Sequence, residues 1–261
     1  QVGVAMRVCV YGSSSSATPQ SFMAASAELG KLLAERGHIC VNGGGKTGCM
    51  GAVNDGCKNN GGKIVGVIHE MFLVDKEEHT GVDEMLVATG DGLAERKRLL
   101  VNGCDCIISL PGGVGTWDEL WEGVAELSLG FNQIPICVVN VDGYYDSFRS
   151  MLERAAKEKL IYQKPEVLLH FAHDAADALD WCEKMSSGGA FQQMHISRKL
   201  EKRAAASNSA ASLGSESSSK KAARSYKFDP NQGARRGFAA GLVTGIAVGV
   251  LLQSLWARST R

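Results

Sequence analysis

The sequence predicts an α/β fold, a doubly wound and mainly parallel sheet, and three observations carry that prediction. Short β-branched runs alternate with helical stretches through the first two thirds of the chain. Two of the runs open directly into glycine-rich loops. The last third abandons this alternation for a Ser/Ala/Lys-rich stretch and then an uncharged apolar segment.

Taken in order, strands are expected at residues 7–11, 39–42, 64–68, 106–110 and 135–140, with a weaker one at 85–88. Helices with apolar residues at three- and four-residue spacing are expected at about 20–36 and over Tyr144 to Lys159, each packed on the sheet. In such sheets ligands sit beyond the carboxyl ends of the strands, so function belongs in the loops that follow them. Periodicity fades after Trp181. Residues 186–236 read as a flexible basic linker, with a short basic helix at 197–206. Residues 237–257 carry no charge over 21 positions and are flanked by Arg235, Arg236 and Arg258, which predicts a transmembrane helix. Gly237, Gly241, Gly245 and Gly249 form a ridge on one face of it, where another helix can approach.

With 261 residues and 44% of them hydrophobic, the chain buries one sizeable core. Its zero formal charge conceals an asymmetry: from residue 197 onward 12 Lys/Arg stand against 3 Asp/Glu, about +9, leaving about −9 for the first 196 residues. An acidic globular part excludes nonspecific nucleic-acid binding, which depends on basic surface. Any anionic ligand must be met by local donors. The eight cysteines include no Cys-x-x-Cys pair, and Cys9, Cys40, Cys106 and Cys137 fall in apolar strand-like runs. They read as buried free thiols of a reducing compartment, not as disulfides or metal ligands. The first strand begins almost at once, so no cleavable signal peptide is expected in the sequence as given.

The loop after the second strand, Gly43-x-Gly45-x-x-Gly48, matches the dinucleotide fingerprint. Gly45-Lys46-Thr47 also resembles the end of a Walker A loop, but Cys40 stands where that motif needs a glycine. What the loop offers is backbone that a ligand can approach, with N–H groups at a helix start. The second loop, Pro111-Gly112-Gly113-Val114-Gly115-Thr116, delivers the chain from a buried strand onto a helix N-terminus, where orphan amides and the Thr116 hydroxyl can hold a phosphate. Glu119 has two readings: Thr116-x-x-Glu119 is a capping box, and Glu119 is equally a catalytic carboxylate. Asp91 followed by Glu95-Arg96-Lys97-Arg98 reads as a solvated helix start.

Together, Gly12-Ser13-Ser14, Gly43-Gly44-Gly45-x-x-Gly48-x-Met50-Gly51, Glu95-Arg96-Lys97, Pro111-Gly112-Gly113-x-Gly115-Thr116-x-x-Glu119 and Asn140-Val141-Asp142-Gly143-Tyr144-Tyr145 resemble the lonely-guy (LOG) family. Those are cytokinin riboside 5′-monophosphate phosphoribohydrolases, often mislabelled lysine decarboxylases. The resemblance covers about residues 5–165. It implies a Rossmann-like homodimer that hydrolyses an adenine-type nucleoside 5′-monophosphate, N6-modified cytokinin forms included, to free base and ribose 5-phosphate without metal or redox cofactor. Arg96 and Glu119 match the family's catalytic residues. Glu78 in Glu78-x-Thr80-Gly81, Lys97, and Gly112, Gly113, Val114, Gly115 and Thr116 match its substrate contacts, and Gly12, Ser13, Gly43, Gly44 and Gly45 complete the expected binding surface. Where many plant members read Met-His before the Glu-Arg-Lys, this chain has Leu93-Ala94; where they read Trp-Ala-Gln-Leu-Gly, it has Glu126-Leu127-Ser128-Leu129-Gly130. These departures bear on the base more than on the phosphate and ribose chemistry.

Cleaving an N-glycosidic bond builds positive charge on the ribose, so a carboxylate beside the anomeric carbon stabilises the transition state and can orient or deprotonate water. Glu119 fits that role, and a helix-start position would keep it ionised. Arg96 can bind the ribose phosphate or the departing base, and Lys97 is a second phosphate candidate. No histidine directly precedes a lysine, so the pair familiar from pyridoxal-dependent decarboxylases is absent. The alternatives are a non-enzymatic nucleotide or cofactor carrier and an NAD-dependent oxidoreductase. The expected organisation is a catalytic domain over 1–185, a linker over 186–236 and an anchor over 237–257. The domain would lie in the cytosol, tail-anchored to an intracellular membrane, because few residues follow the apolar segment.

Overall fold

The structure is a computed structural model, and it describes residues 4–75, 78–187 and 191. These all belong to the first of two units, Gln1–Asn208 and Ser209–Arg261. Seven strands, β1 (Arg7–Tyr11), β2 (Ile39–Asn42), β3 (Lys63–His69), β4 (Glu84–Ala88), β5 (Cys106–Ser109), β6 (Ile136–Val139) and β7 (His170–Ala172), form one sheet. Their order is β4-β3-β2-β1-β5-β6-β7, and every pairing is parallel. Helices α1 (Gln20–Glu35), α2 (Gly48–Asn59), α3 (Ala94–Val101), α4 (Val114–Leu129), α5 (Asp146–Lys157) and α6 (Pro165–Leu168) lie between strands, and α7 (Ala175–Ser186) follows β7.

A parallel sheet needs cover on both faces, and its central strands are buried along their whole length: β5 reads Cys-Ile-Ile-Ser and β6 Ile-Cys-Val-Val. Alternation along β1 sorts the two faces. Val8 and Val10 join Leu29, Leu33, Val53, Ile108 and Leu179 in one core cluster, under α1, α2 and α7. Cys9 and Tyr11 join Val41, Val67, Leu120, Val124, Tyr145 and Leu152 in the other, under α4 and α5. All eight cysteines are free and buried in these layers.

The chain moves outward from β1 to β4 and returns to the centre at β5, beside β1. That reversal is a topological switch point, and there the loops leaving neighbouring strands diverge to open a crevice. The expected strands all form within a residue or two of their predicted limits. β7 was not expected; nor was the continuation of α7 to Ser186, started by the Asp174 carboxylate accepting the Asp177 amide at 2.9 Å. Phe191, inside the expected linker, is buried in the second core cluster. The apolar segment 237–257 and the basic helix expected at 197–206 lie outside the described residues, among which no helix is long and apolar enough to cross a membrane.

Candidate active site

At the switch point, the loops after β1, β2 and β5 border a cleft of about 570 Å³ lined by Gly12, Ser13, Gly43, Gly45, Arg96, Glu119 and the α4 start from Gly113 to Thr116. Ser13 stitches the three loops together through its backbone: its amide donates to Pro111 O at 3.0 Å, and its carbonyl accepts the Met50 amide at 3.0 Å. The cleft size suits a small-molecule ligand.

Arg96 and Glu119 meet in it. Arg96 Nη1 lies 2.8 Å from Glu119 Oε1, with the two side chains only 13% and 12% exposed. Arg96 Nε also donates to Val67 O at 3.1 Å, so the end of β3 fixes the guanidinium's plane. A Cβ at Gly43 would stand 2.6 Å from Arg96 Nη2, which is why that strand end carries no side chain. Burial pushes the Glu119 carboxyl above the ordinary carboxylate range, while the Arg96 charge pulls it back down. What favours the ionised form is the Arg96 guanidinium beside the carboxylate. α4 begins at Val114 with Gly113 as its N-cap and no side-chain cap, which places Thr116 inside the first turn and Glu119 beyond it. The capping box is excluded on the same ground: Thr116 is not the N-cap, and the Glu119 carboxylate is committed to Arg96.

The two glycine loops are wired differently, the first engaging carbonyls as well as amides, with Gly44 O accepting the His79 amide at 2.7 Å. In the first, backbone N–H groups are engaged within the loop: Gly44 N donates to Asn42 Oδ1 at 2.7 Å and Gly45 N to Met50 Sδ at 3.0 Å. Behind it Asn42 and Asn54, both fully buried, pair at 2.6 Å, and Asn54 Nδ2 donates to Gly45 O at 3.1 Å. In the second, the carbonyls are engaged: the Tyr145 hydroxyl donates to Leu110 O at 2.7 Å, the Ser13 amide to Pro111 O, and the Tyr144 hydroxyl to Gly112 O. A Cβ at Gly112 would overlap the Thr116 hydroxyl and come within 2.9 Å of the Ser13 amide nitrogen, so only glycine lets the loop close against Ser13. The expectation that the first loop points its amides at an anion is corrected for Gly44 and Gly45. Gly44 does not line the cleft, whereas Gly113, Val114, Gly115 and Thr116 do.

Lys97 is turned away. One residue further along α3 means about 100° of rotation, and its Nζ sits 3.0 Å from Asp118 and 2.6 Å from Glu122. These carboxylates raise its pKa, and it borders a separate cavity of about 340 Å³ with Tyr11, Arg98 and Phe131. Glu119 lines both cavities. Glu78 forms an isolated antiparallel bridge with Gly45 behind the first loop, and among the described residues its Oε2 is buried without a hydrogen-bond partner. It does not line the cleft. The sequence reading missed the apolar wall of Met50, Ile68, Phe72 and Leu93, together with Asn42, Asn54 and Trp117. Of these, Met50 carried a signal as a member of the first glycine motif and Leu93 as a departure from the plant motif. No group of His, Cys, Asp or Glu among the described residues is arranged to hold a metal ion.

Residues 50–182 match a family model described as possible lysine decarboxylase. The chain is 39% identical over 155 residues to the cytokinin riboside 5′-monophosphate phosphoribohydrolase LOG of Oryza sativa subsp. japonica, covering 59% of this chain and 63% of that relative. It is 34% identical over 181 residues to the cytokinin riboside 5′-monophosphate phosphoribohydrolase LOG5 of Arabidopsis thaliana, covering 69% of this chain and 77% of the relative. Among solved structures, the molybdenum cofactor carrier protein of Chlamydomonas reinhardtii superposes with a TM-score of 0.51 at 23% identity, over 69% of this chain and 97% of that one. The molybdenum cofactor binding protein of Rippkaea orientalis gives 0.55 at 18%, over 70% and 99%. These structural likenesses establish the fold.

Proposed function

We propose, for a chain that belongs to the LOG family, that it hydrolyses the N-glycosidic bond of an adenine-type nucleoside 5′-monophosphate to free base and ribose 5-phosphate. The observation that carries the reading is the buried Arg96–Glu119 pair at 2.8 Å, set in a cleft beside the first-turn amides of α4. Those amides, with Thr116, form the cradle for the 5′-phosphate. The ribose then lies between cradle and carboxylate. As the C1′–N bond breaks, the base leaves with the electron pair and takes up a proton from solvent, to be replaced by the one that Glu119 later releases, and positive charge develops on C1′. Glu119 faces that charge in a partly desolvated site, where a fixed carboxylate acts most strongly. Water adds its oxygen to C1′ and gives its proton to Glu119, whose upward-shifted pKa makes it a better base than an exposed glutamate. Arg96 holds the carboxylate in place and presents a fixed positive charge to the phosphate or the departing base. The apolar wall of Met50, Ile68, Phe72 and Leu93 suits the base, N6-modified cytokinin forms included.

The other readings fit less of the site. Pyridoxal-dependent decarboxylation needs a lysine at the reacting centre, and among the described residues no lysine lines the cleft. A dinucleotide at the first loop would need the Gly44 and Gly45 amides, which are engaged elsewhere. A passive carrier on the same fold has no use for a buried carboxylate paired with an arginine. The test is to incubate the protein with adenosine monophosphate and its N6-isopentenyl form and assay free base and ribose 5-phosphate. Release of base from either supports the hydrolase; binding without release contradicts it.

The proposal extends to organisation: a catalytic domain over 1–185, a basic linker over 186–236 and a membrane anchor over 237–257 that holds the enzyme on the cytosolic face of an intracellular membrane. It rests on the 21 uncharged residues and the basic flanks. Alkaline carbonate extraction decides it, since a full-length protein released as readily as a chain truncated near Ser186 has no anchor. A homodimer belongs to the same reading. Leu129 and Phe131, 72% and 82% exposed at the end of α4, are apolar surface available to it, and sedimentation measures the mass.

A further inference from the structure

The second glycine loop is held at three consecutive carbonyls: Leu110 by the Tyr145 hydroxyl, Pro111 by the Ser13 amide and Gly112 by the Tyr144 hydroxyl. In a planar trans peptide the carbonyl and the N–H of the next residue point in opposite directions. The Gly112 carbonyl is held by Tyr144, which does not line the cleft, so the amide of Gly113, a residue that does, is turned the other way, toward it. The direction of the Tyr144 bond is fixed by its partners. Its hydroxyl accepts from Trp117 Nε1 at 3.2 Å, and an indole N–H can only donate, so the hydroxyl proton goes to the Gly112 carbonyl, which can only accept.

Tyr144 is itself held in place. Its ring lies edge-on to Phe22 at 5.4 Å and to Tyr145 at 5.0 Å. The turn before it is closed by Asn140, whose Oδ1 accepts the Tyr145 amide at 2.7 Å and whose Nδ2 donates to Asp146 at 2.8 Å. Trp117 stands on α4 one residue after Thr116, so the chain Trp117–Tyr144–Gly112 ties the helix start to the loop that precedes it. Tyr144 does not line the cleft.

We propose that Tyr144 is a positioning residue for the substrate's phosphate, orienting the Gly112–Gly113 peptide so that its amide meets a phosphate oxygen. This rests on the phosphate-cradle reading of the site. Without the hydroxyl, the two glycines regain the rotational freedom that their missing side chains permit. The base and ribose, held by other residues, would not register the change.

The test is Tyr144→Phe in the full chain, with calorimetric binding of adenosine monophosphate and of adenosine and, where base is released, kcat and KM. The expected result is an adenosine monophosphate Kd and KM raised about fivefold, the worth of one net hydrogen bond, with kcat within about twofold and adenosine binding unmoved. Trp117→Phe, which removes the donor behind Tyr144, should shift the monophosphate in the same direction by about twofold, and it alone decides the matter if Tyr144→Phe does not fold. An unchanged monophosphate Kd, or an equal loss for monophosphate and nucleoside, overturns the proposal. Because binding is measured separately from turnover, a wild type that binds monophosphate but releases no base would contradict the hydrolase while leaving this test intact.

Discussion

The two glycine loops look alike in sequence and differ in what they leave free. The first, after β2, uses amides internally and is pinned by the buried Asn42–Asn54 pair, so it serves as a wall against Arg96. The second, after β5, uses its carbonyls internally and runs into a helix whose first turn lines the cleft. Glycine content does not make an anion site; the side on which the peptide groups are already engaged does. A fingerprint match is a statement about room for backbone, and hydrogen-bond partners decide which face of that backbone a ligand meets.

The largest expected effect falls on the pair that both loops border. Glu119→Gln keeps the shape and removes the charge, and should lower kcat by about 100- to 1,000-fold, the usual loss for one electrostatic contact to a transition state. Near-wild-type turnover at saturating substrate would reduce both loops to a binding site. Next comes a paired substitution. Gly112→Ala forces a methyl into the Thr116 hydroxyl and should cut kcat/KM by about 10- to 100-fold. Gly45→Ala meets only the flexible Met50 thioether at 2.9 Å and should cost less than about fivefold. The reverse ranking in steady-state kinetics would break the comparison.

A smaller effect concerns stability alone. Asn54→Ala strands the buried Asn42 amide and should cost about 1–3 kcal/mol in denaturant unfolding, with the preference for monophosphate over nucleoside retained. The smallest is a shift in pH dependence. Burial raises the Glu119 pKa and Arg96 opposes it, so an ionised Glu119 is lost at a higher pH than an exposed glutamate would be. The acid limb of kcat/KM should therefore lie above the ordinary glutamate range. Arg96→Met should move it higher still in whatever activity remains. A limb that moves down contradicts the pairing.

The sheet was readable because β1, β2, β3, β5 and β6 are continuous apolar runs, which two-sided burial demands. β7 has three residues and no such run, so nothing local announced it. Arg96 and Glu119 were identified as motif members, but their contact spans 23 positions and only folding makes it. The capping-box alternative for Glu119 arises because Thr116 fits the N-cap preference, whereas the actual cap, Gly113, has no side chain with which to signal. Lys97 matches a substrate contact of the Glu-Arg-Lys motif, yet one position along a helix from Arg96 turns it onto another face. The Asn42–Asn54 and Tyr144–Gly112 bonds join distant residues of ordinary type, and no spacing rule anticipates them.

The most direct measurement is the ratio of kcat/KM for adenosine monophosphate to that for adenosine, with free base as the readout. A cradle of α4 amides that meets only the phosphate predicts a ratio of about 100 or more, the worth of two to three charge-assisted hydrogen bonds. A ratio near one would show that the second loop does not hold a phosphate and would contradict the account.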